Sequence, residues 1–372
     1  MINQILKIAK MLSLALLILL SAVILVIMLT RFINYHKTRI TSELGIQEDL
    51  YIELGGIEQY LQIRGEDINN PVILFLHGGP GFPLSYLSYY YQPYLESDYT
   101  FVCWDQRGSG RTYYKNEVTE NDLTPEQLLA DTDELVEYIC SRFQKEKVII
   151  MGQSWGTVPG TLYTMKYPDK VESYIGVGQV IDFDAGKIEA AIAAKTLAKK
   201  ESIESDVTTL INEIENFSQA SNINEIDIPG MEKMIRTSLN YLKGSDELNP
   251  LKTMWLGLTS PDVSINDLRW FKNASSTETI FKLEKNLINY MYYGFDIDVL
   301  DNQYDVPIYY ISGGNDWITP YTMVKIYCNN LVAPSKDMII IENTGHTPFL
   351  DQPESFADAV KLLLNKQKMV GF

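Results

Sequence analysis

Cysteine is scarce in this sequence, and its scarcity excludes two kinds of site. The 372 residues include three cysteines, Cys103, Cys140 and Cys328, with no C-x-x-C pair among them. An odd number without paired spacing indicates neither a disulfide framework nor a zinc site. Each cysteine lies in an apolar stretch, so we expect buried structural thiols.

Basic residues are also few. Lysine and arginine number 31 against 48 aspartates and glutamates, which gives a formal net charge of -17. Proteins bind phosphate backbones with basic surfaces, so this balance argues against a nucleic-acid partner. Hydrophobic residues make up 46% of the chain, which is enough for a sizeable core.

Charge is missing altogether from residues 11–30, which are mostly Leu, Ile, Val, Ala and Met. This run is long enough to cross a bilayer as a helix, and it exceeds the apolar core of a secretory signal peptide. We therefore predict a single-pass membrane anchor at 11–30, after a tail at 1–10 and before a juxtamembrane linker at 31–47. Basic residues flank the anchor on both sides, so the side of the membrane that carries the rest of the chain stays open.

From about residue 48, short apolar runs alternate with helical patterns. Such runs are typical of strands buried on both faces, and they occur at 71–76, 100–104, 147–151, 172–177, 306–312 and 338–342. The alternation predicts an α/β fold with a mostly parallel sheet and helices on both faces. The stretch 182–301 has helical patterns without a convincing strand. We therefore predict a core in two parts, 48–181 and 302–372, with 182–301 as a helical cap.

A candidate nucleophile lies in Gly152-Gln153-Ser154-Trp155-Gly156. The pattern G-x-S-x-G alone is weak, but here it directly follows a predicted strand and precedes a predicted helix, as a nucleophile elbow requires. The alternative is an ordinary glycine-rich turn. We predict that Ser154 is the nucleophile and that the following helix N-terminus favours developing negative charge.

A serine nucleophile needs a base and an acid that orients it, in the chain order serine, acid, histidine. His346 alone among the histidines follows Ser154, so it is the predicted base. Asp316 follows a predicted strand and a glycine-rich turn, which makes it the predicted orienting acid. Asp351 is a rival by proximity, but with Pro353 it resembles the start of the final helix.

An oxyanion hole is predicted from His77-Gly78-Gly79-Pro80-Gly81, which follows the strand at 71–76. We expect the backbone N–H groups of Gly79 and Trp155 to bind the oxyanion. The glycines are also explained by a tight turn that needs them for conformation. His77 precedes Ser154, so we expect it to support this loop and not to act as base.

Five motifs in order resemble the proline iminopeptidase family of α/β-hydrolases. They are 77–81 (HGGPG), 105–111 (DQRGSGR), 152–156 (GQSWG), Gly313-x-x-Asp316 and Gly345-His346. The resemblance implies the α/β-hydrolase fold with a helical cap over the site, and no metal or organic cofactor. It implies hydrolysis of a peptide or amide bond next to a free N-terminus, often after proline. It also implies that Arg107 forms a salt bridge near the site.

One departure from this family concerns the cap. Proline iminopeptidases bind the substrate α-amine with acidic cap residues, some of them beside tryptophans, but Leu256 follows Trp255 and Phe271 follows Trp270. The expected substrate is a small molecule or short peptide. A carboxylesterase or lipase-like hydrolase remains an alternative, because the same triad cleaves esters. A catalytically inactive, membrane-tethered binding protein is a second alternative, and the oligomeric state stays open.

Overall fold

An eight-stranded sheet forms the centre of the computed structural model, which describes residues 2–242 and 250–370. The strands are β1 (Ile46–Leu54), β2 (Ile57–Gly65), β3 (Val72–Leu76), β4 (Thr100–Asp105), β5 (Val148–Gln153), β6 (Val171–Val177), β7 (Ile308–Gly313) and β8 (Lys336–Ile341). Their order in the sheet is β1-β2-β4-β3-β5-β6-β7-β8. The hairpin of β1 and β2 is antiparallel and β2 pairs antiparallel with β4, whereas all later pairs are parallel.

Fifteen α-helices occur in the described residues. They are α1 (Ile2–Thr38), α2 (Ser88–Tyr91), α3 (Gly110–Lys115), α4 (Pro125–Phe143), α5 (Thr157–Lys166), α6 (Phe183–Lys200), α7 (Glu204–Gln219), α8 (Ile228–Leu239), α9 (Pro250–Thr259), α10 (Ile265–Ala274), α11 (Thr277–Leu283), α12 (Lys285–Asn289), α13 (Tyr321–Asn330), α14 (Pro348–Asp351) and α15 (Pro353–Val370). Helices α4, α5 and α13 contribute to a core on one face of the sheet, and α2 and α15 to a core on the other. The predicted sheet with helices on both faces is confirmed.

Helix α4 illustrates how local sequence sets an element boundary. The side chain of Thr124 accepts a hydrogen bond from the backbone N–H of Gln127 at 3.1 Å, and Pro125 occupies the first helical position. The hydroxyl satisfies an N–H that has no partner within the helix, and proline has no N–H to lose there. Helix α4 therefore begins where the sequence predicts.

Helices α6 to α12 lie in the chain between β6 and β7, which are neighbours in the sheet. The predicted cap, 182–301, includes residues 243–249, which lie outside the described residues. A bridge between Asp182 and Asp296 joins the beginning and the end of this insertion. The sheet can therefore accommodate the insertion without a break, because its two ends leave and return at the same place.

The N-terminal helix α1 is longer than the predicted anchor. It runs without interruption from Ile2 to Thr38, and it is the one helix in the described residues that is long and apolar enough to cross a membrane. The sequence pattern predicts a linker from residue 31, but residues 31–38 are helical. Residues far away in sequence form hydrogen bonds with this part of α1. Asn34 Nδ2 donates to the carbonyl of Thr259 at 2.9 Å, and Arg64 Nη2 donates to the carbonyl of Thr38 at 2.6 Å.

Candidate active site

Ser154 occupies a strained turn between β5 and α5. Its φ of 51° lies in the left-handed region, which costs energy for any residue with a side chain. The flanking glycines make this turn possible by close approach. A Cβ on Gly156 would lie 2.1 Å from the carbonyl oxygen of Leu76, and one on Gly152 would lie 2.5 Å from that of Gly156. The turn that carries Ser154 therefore packs against the end of β3, and this packing stabilises the strained backbone of the serine.

His346 and Asp316 form a buried pair. The imidazole Nδ1 lies 2.9 Å from Asp316 Oδ2. Asp316 follows the carboxyl end of β7, and His346 follows that of β8. An Nδ1–H donated to the carboxylate leaves the Nε2 lone pair to accept a proton. The structure thus brings together two of the three predicted triad residues in the geometry that a general base requires.

Gly178 connects this pair to the elbow side of the sheet. It follows β6, which lies between β5 and β7, and a Cβ at this position would lie 3.1 Å from both Cε1 and Nδ1 of His346. Ser154 follows β5, so the three predicted triad residues all follow carboxyl ends of parallel strands in one region of the sheet. Ser154, Asp316 and His346 are all buried.

Asp316 accepts hydrogen bonds from other donors in addition to His346. Its Oδ1 accepts from the backbone N–H groups of Ile318 at 2.9 Å and Thr319 at 3.0 Å, and its Oδ2 accepts from Thr319 Oγ1 at 2.8 Å. Burial raises the pKa of Asp316, but the attraction and hydrogen bond of His346 and the bonds from Thr319 outweigh burial and hold this pKa below its ordinary value. The carboxylate therefore stays ionised, as an orienting acid must.

The loop at 77–81 contacts the elbow directly. A Cβ on Gly78 would lie 3.1 Å from the Cβ of Ser154, and Gly79 has a φ of 120° that favours glycine. His77 Nδ1 lies 2.8 Å from the carbonyl oxygen of Gly78, and burial lowers the pKa of His77 to about 4. A neutral His77 within this loop fits a supporting role. The assignment of the Gly79 and Trp155 N–H groups to an oxyanion hole stays a prediction.

The segment 105–111 joins the elbow to the rest of the core. Gln106 accepts a hydrogen bond from Trp155 Nε1 at 3.3 Å, and its backbone N–H donates to His77 Nε2 at 3.2 Å. Arg107 forms a buried two-bond ion pair with Asp131, with Nε to Oδ2 at 2.8 Å and Nη2 to Oδ1 at 3.0 Å. Arg107 thus forms the salt bridge that the family resemblance implies.

The same segment also fixes part of the insertion to the core. Arg111 donates from Nη2 to Asp267 of α10 at 2.9 Å, and both side chains are buried. Asp105 accepts from the backbone N–H of Arg111 at 2.9 Å. Burial, followed by repulsion from Asp267, raises the pKa of Asp105 to about 7. Helix α10 is therefore tied to the core by a buried charge network.

Glu284 is a residue that sequence reasoning misses. It lies between α11 and α12, it is 1% exposed, and its carboxylate oxygens have no hydrogen-bond partner among the described residues. Burial raises its pKa well above the ordinary value. A Cβ on Gly81 would lie 3.1 Å from Glu284 Oε1, and Trp270 Nε1 donates to the Gly81 carbonyl at 2.8 Å. An acid and a tryptophan of the insertion thus meet on the loop that contacts Ser154, although they are far apart in sequence.

Asp351, the rival acid, takes a different position. Its Oδ2 accepts a hydrogen bond from the backbone N–H of Gly345 at 2.8 Å, next to His346. It ends the short helix α14, whereas the sequence pattern suggests the start of the final helix. The carboxylate that lies beside the imidazole Nδ1 is that of Asp316.

Comparison with known proteins identifies similar chains. A family model described as alpha/beta hydrolase fold matches residues 71–195. A protein named probable aminopeptidase YbaC from Bacillus subtilis is 28% identical over 83% of this chain and 93% of its own length. A proline iminopeptidase from Lactobacillus helveticus is 24% identical over 81% of this chain and 92% of its own length.

Solved structures show the same fold at low sequence identity. A proline iminopeptidase-related protein from Thermus thermophilus superposes with a TM-score of 0.59 at 19% identity, covering 87% of this chain and 99% of that one. The protein VinJ superposes with a TM-score of 0.56 at 18% identity, covering 87% and 99%.

The chain therefore has the α/β-hydrolase fold, which the matching family model describes and the superposed structures share. The resemblance to proline iminopeptidases that the motifs predict is confirmed by the Lactobacillus helveticus relative, which bears this name, whereas the Bacillus subtilis relative is named a probable aminopeptidase.

Proposed function

We propose that this protein is a membrane-anchored serine hydrolase of the proline iminopeptidase type, which removes the N-terminal residue from small peptides through an acyl-enzyme. The observation that carries the proposal is the buried His346–Asp316 pair, with Nδ1 at 2.9 Å from Oδ2, on the sheet edge that also carries the strained Ser154 turn. Helix α1 serves as the anchor.

The reaction follows from the roles of these groups. Ser154 Oγ attacks the carbonyl carbon while His346 Nε2 takes the hydroxyl proton, and Asp316 stabilises the imidazolium that forms. The N–H groups of Gly79 and Trp155 bind the oxyanion. The imidazolium then gives its proton to the leaving amine. Water next attacks the acyl-enzyme while His346 takes its proton, and the imidazolium returns a proton to Ser154 Oγ as the acid product leaves.

Glu284 supports an aminopeptidase specificity. A buried carboxyl group without a partner is costly, and a substrate ammonium group would supply the missing charge and hydrogen bonds. Glu284 lies next to Gly81, which belongs to the same loop as Gly78, and Gly78 lies next to Ser154. We propose that Glu284 binds the α-ammonium group of the substrate, with Trp270 beside it.

A covalent probe tests the nucleophile. A fluorophosphonate should label the wild-type protein and should not label Ser154→Ala. Ser312→Ala is a matched control, because Ser312 is also buried at the carboxyl end of a strand and its hydroxyl has no partner among the described residues. Equal labelling of wild type and Ser154→Ala would overturn the assignment of the nucleophile, and absent labelling of both would favour an inactive binding protein.

Paired substrates test the role of Glu284. Glu284→Gln should lower kcat/KM for a free aminoacyl arylamide by about 10- to 100-fold, since the amide, unlike the carboxyl group, cannot ionise when the ammonium group binds beside it. It should leave any slow turnover of the N-acetylated arylamide unchanged. Glu278→Gln is the control variant, because Glu278 is an exposed residue of α11. An equal loss on both substrates would contradict ammonium recognition.

The second candidate is an ester hydrolase. The observation that favours it is an apolar cleft between α9 and α10, lined by residues that include Met254, Leu258 and Phe271. Faster hydrolysis of short acyl esters than of any aminoacyl arylamide, with no dependence on Glu284, would favour this candidate over the peptidase.

A further inference from the structure

Helix α9 presents an apolar face to solvent. Leu251, Met254 and Trp255 are all exposed, with Leu251 at 70%. The spacing of three and four residues places these side chains on one side of the helix. A stripe of this kind normally faces a protein core, so its exposure calls for a partner.

Helix α10 continues this surface. Ile265, Leu268 and Phe271 are exposed, with Ile265 also at 70%. Met254 of α9 and Leu268 of α10 line the same apolar cleft, so the two helices form one surface. We call it the apolar cap face, and its members are Leu251, Met254, Trp255, Ile265, Leu268 and Phe271.

The apolar cap face adjoins the end of the proposed anchor. Arg31, the first charged residue after the apolar run 11–30, donates from Nη2 to the carbonyl of Val263 at 3.2 Å, in the connection between α9 and α10. Thr30 and Trp255 line one cleft together with Tyr94. The charged end of the apolar span in α1 therefore lies beside α9 and the loop that follows α9.

Two features identify the partner. A charged residue at the end of an apolar span marks the boundary of the hydrocarbon layer, and Trp and Tyr side chains favour that boundary. The chain as a whole carries a formal charge of -17, which gives no attraction to anionic headgroups. The exposed side chains of the apolar cap face would contact lipid by apolar burial, as in helices that lie in the membrane interface.

We propose that the apolar cap face rests in the polar–apolar boundary of the same bilayer that α1 crosses. This inference rests on the proposed role of α1 as an anchor. Under this proposal, the catalytic domain is held against the membrane and is not connected to the anchor by a flexible linker. Instead, α9 and α10 of the insertion face the lipid, beside the continuous helix.

Lipid-borne quenchers test this contact in the full-length protein. Single cysteines at Leu251 and Ile265 would carry a polarity-sensitive fluorophore in a Cys140→Ser background, in which the other two native cysteines are buried. Leu20→Cys reports insertion of the anchor. Ile326→Cys on α13, at 63% exposure, is the matched control outside the apolar cap face. The proteins are reconstituted in phosphatidylcholine nanodiscs with or without bromine on the acyl chains.

The expected result is a loss of about half the emission from labels at positions 20, 251 and 265 when the lipid is brominated, and no change at 326. Quenching at 20 without quenching at 251 and 265 overturns the proposal while the anchor stands. No quenching at 20 overturns both.

A second copy of the chain is the competing occupant of this surface. It would shield the labels at 251 and 265 from aqueous iodide without bromolipid quenching, and that outcome also overturns the proposal. None of these readouts depends on catalysis, so they are independent of the identity of the substrate.

Discussion

Thr319 offers the sharpest test of the proposed catalytic pair. Its hydroxyl donates to Asp316 Oδ2 at 2.8 Å and lies 3.3 Å from His346 Nδ1. Thr319→Val removes this donor and keeps the shape and the backbone N–H that donates to Asp316 Oδ1. The change thus removes one hydrogen bond from the carboxylate and leaves the fold of the turn unaltered.

The magnitude follows from the remaining donors. A hydrogen bond to a charged group contributes about 1.5–3 kcal/mol. Asp316 keeps His346 and two backbone donors, so we expect the lower end of that range, which is roughly a tenfold loss in kcat. Asp316→Asn, which forces the wrong histidine tautomer, should cost about 10⁴ and sets the upper limit.

The pH profile separates this role from a structural one. The Thr319 hydroxyl helps to lower the pKa of Asp316, so its removal raises that pKa toward the ordinary value. The more basic carboxylate then stabilises the imidazolium of His346 more strongly. Protonation of His346, the proposed base, sets the acidic limb of the kcat/KM profile, so this limb should move to higher pH in Thr319→Val and return in Thr319→Ser.

Thr347→Val is the control for the same chemical change. It removes a buried hydroxyl that has no partner among the described residues, beside the predicted base. Equal activity of Thr319→Val and wild type, or a shift of the acidic limb to lower pH, would refute the proposed part of the Thr319 hydroxyl.

Three further predictions concern the elbow and the buried charges. Gly156→Ala should abolish activity and destabilise the protein by about 1–3 kcal/mol in thermal unfolding, since its Cβ would lie 2.1 Å from the Leu76 carbonyl oxygen; unchanged activity would contradict the packing argument. Asp267→Ala should cost about 3–5 kcal/mol in the same assay, because Arg111 is then buried without its partner, and a loss below 1 kcal/mol, on the order of a surface pair, would contradict this. The pKa of Asp105 is about 7 in the folded protein and about 4 in the unfolded chain. The free energy of unfolding should therefore fall by up to about 4 kcal/mol as pH rises from about 4 to 7, and Asp105→Asn should reduce this pH dependence.

The sequence predicts the strands well because most are buried on both faces. Continuous apolar runs such as 147–151 correspond to strands within two residues, as β5 at Val148–Gln153 illustrates. The candidate triad is also accessible from sequence. Histidine is so scarce that position and chain order leave one candidate, and parallel strands place their carboxyl ends on one edge.

Contacts between distant segments explain what sequence reasoning misses. Glu284 occurs in a polar, helix-like stretch that resembles a surface, and its burial depends on the loop at Gly81. The search for an acid beside a tryptophan in sequence fails, because Trp270 and Glu284 meet only through that loop. The last turns of α1 are unpredicted for the same reason, since the carbonyl that Asn34 contacts lies 225 residues away.

The contacts of α10 and of the loop before it also indicate from which side a substrate would reach the candidate site. Helix α10 is joined to the core by the buried Arg111–Asp267 pair, and the loop before it is joined to α1 through Arg31. Moving α9 and α10 outward would break a buried ion pair at a cost of about 3–5 kcal/mol. On the other side, a cleft lies between α6, α8 and the turn after Asp316, lined in part by Met234, Trp317 and Ile318. A path on this side would leave the Arg111–Asp267 pair intact, so we expect substrates to reach Ser154 from the side of α6 and α8, away from the surface that we propose contacts lipid.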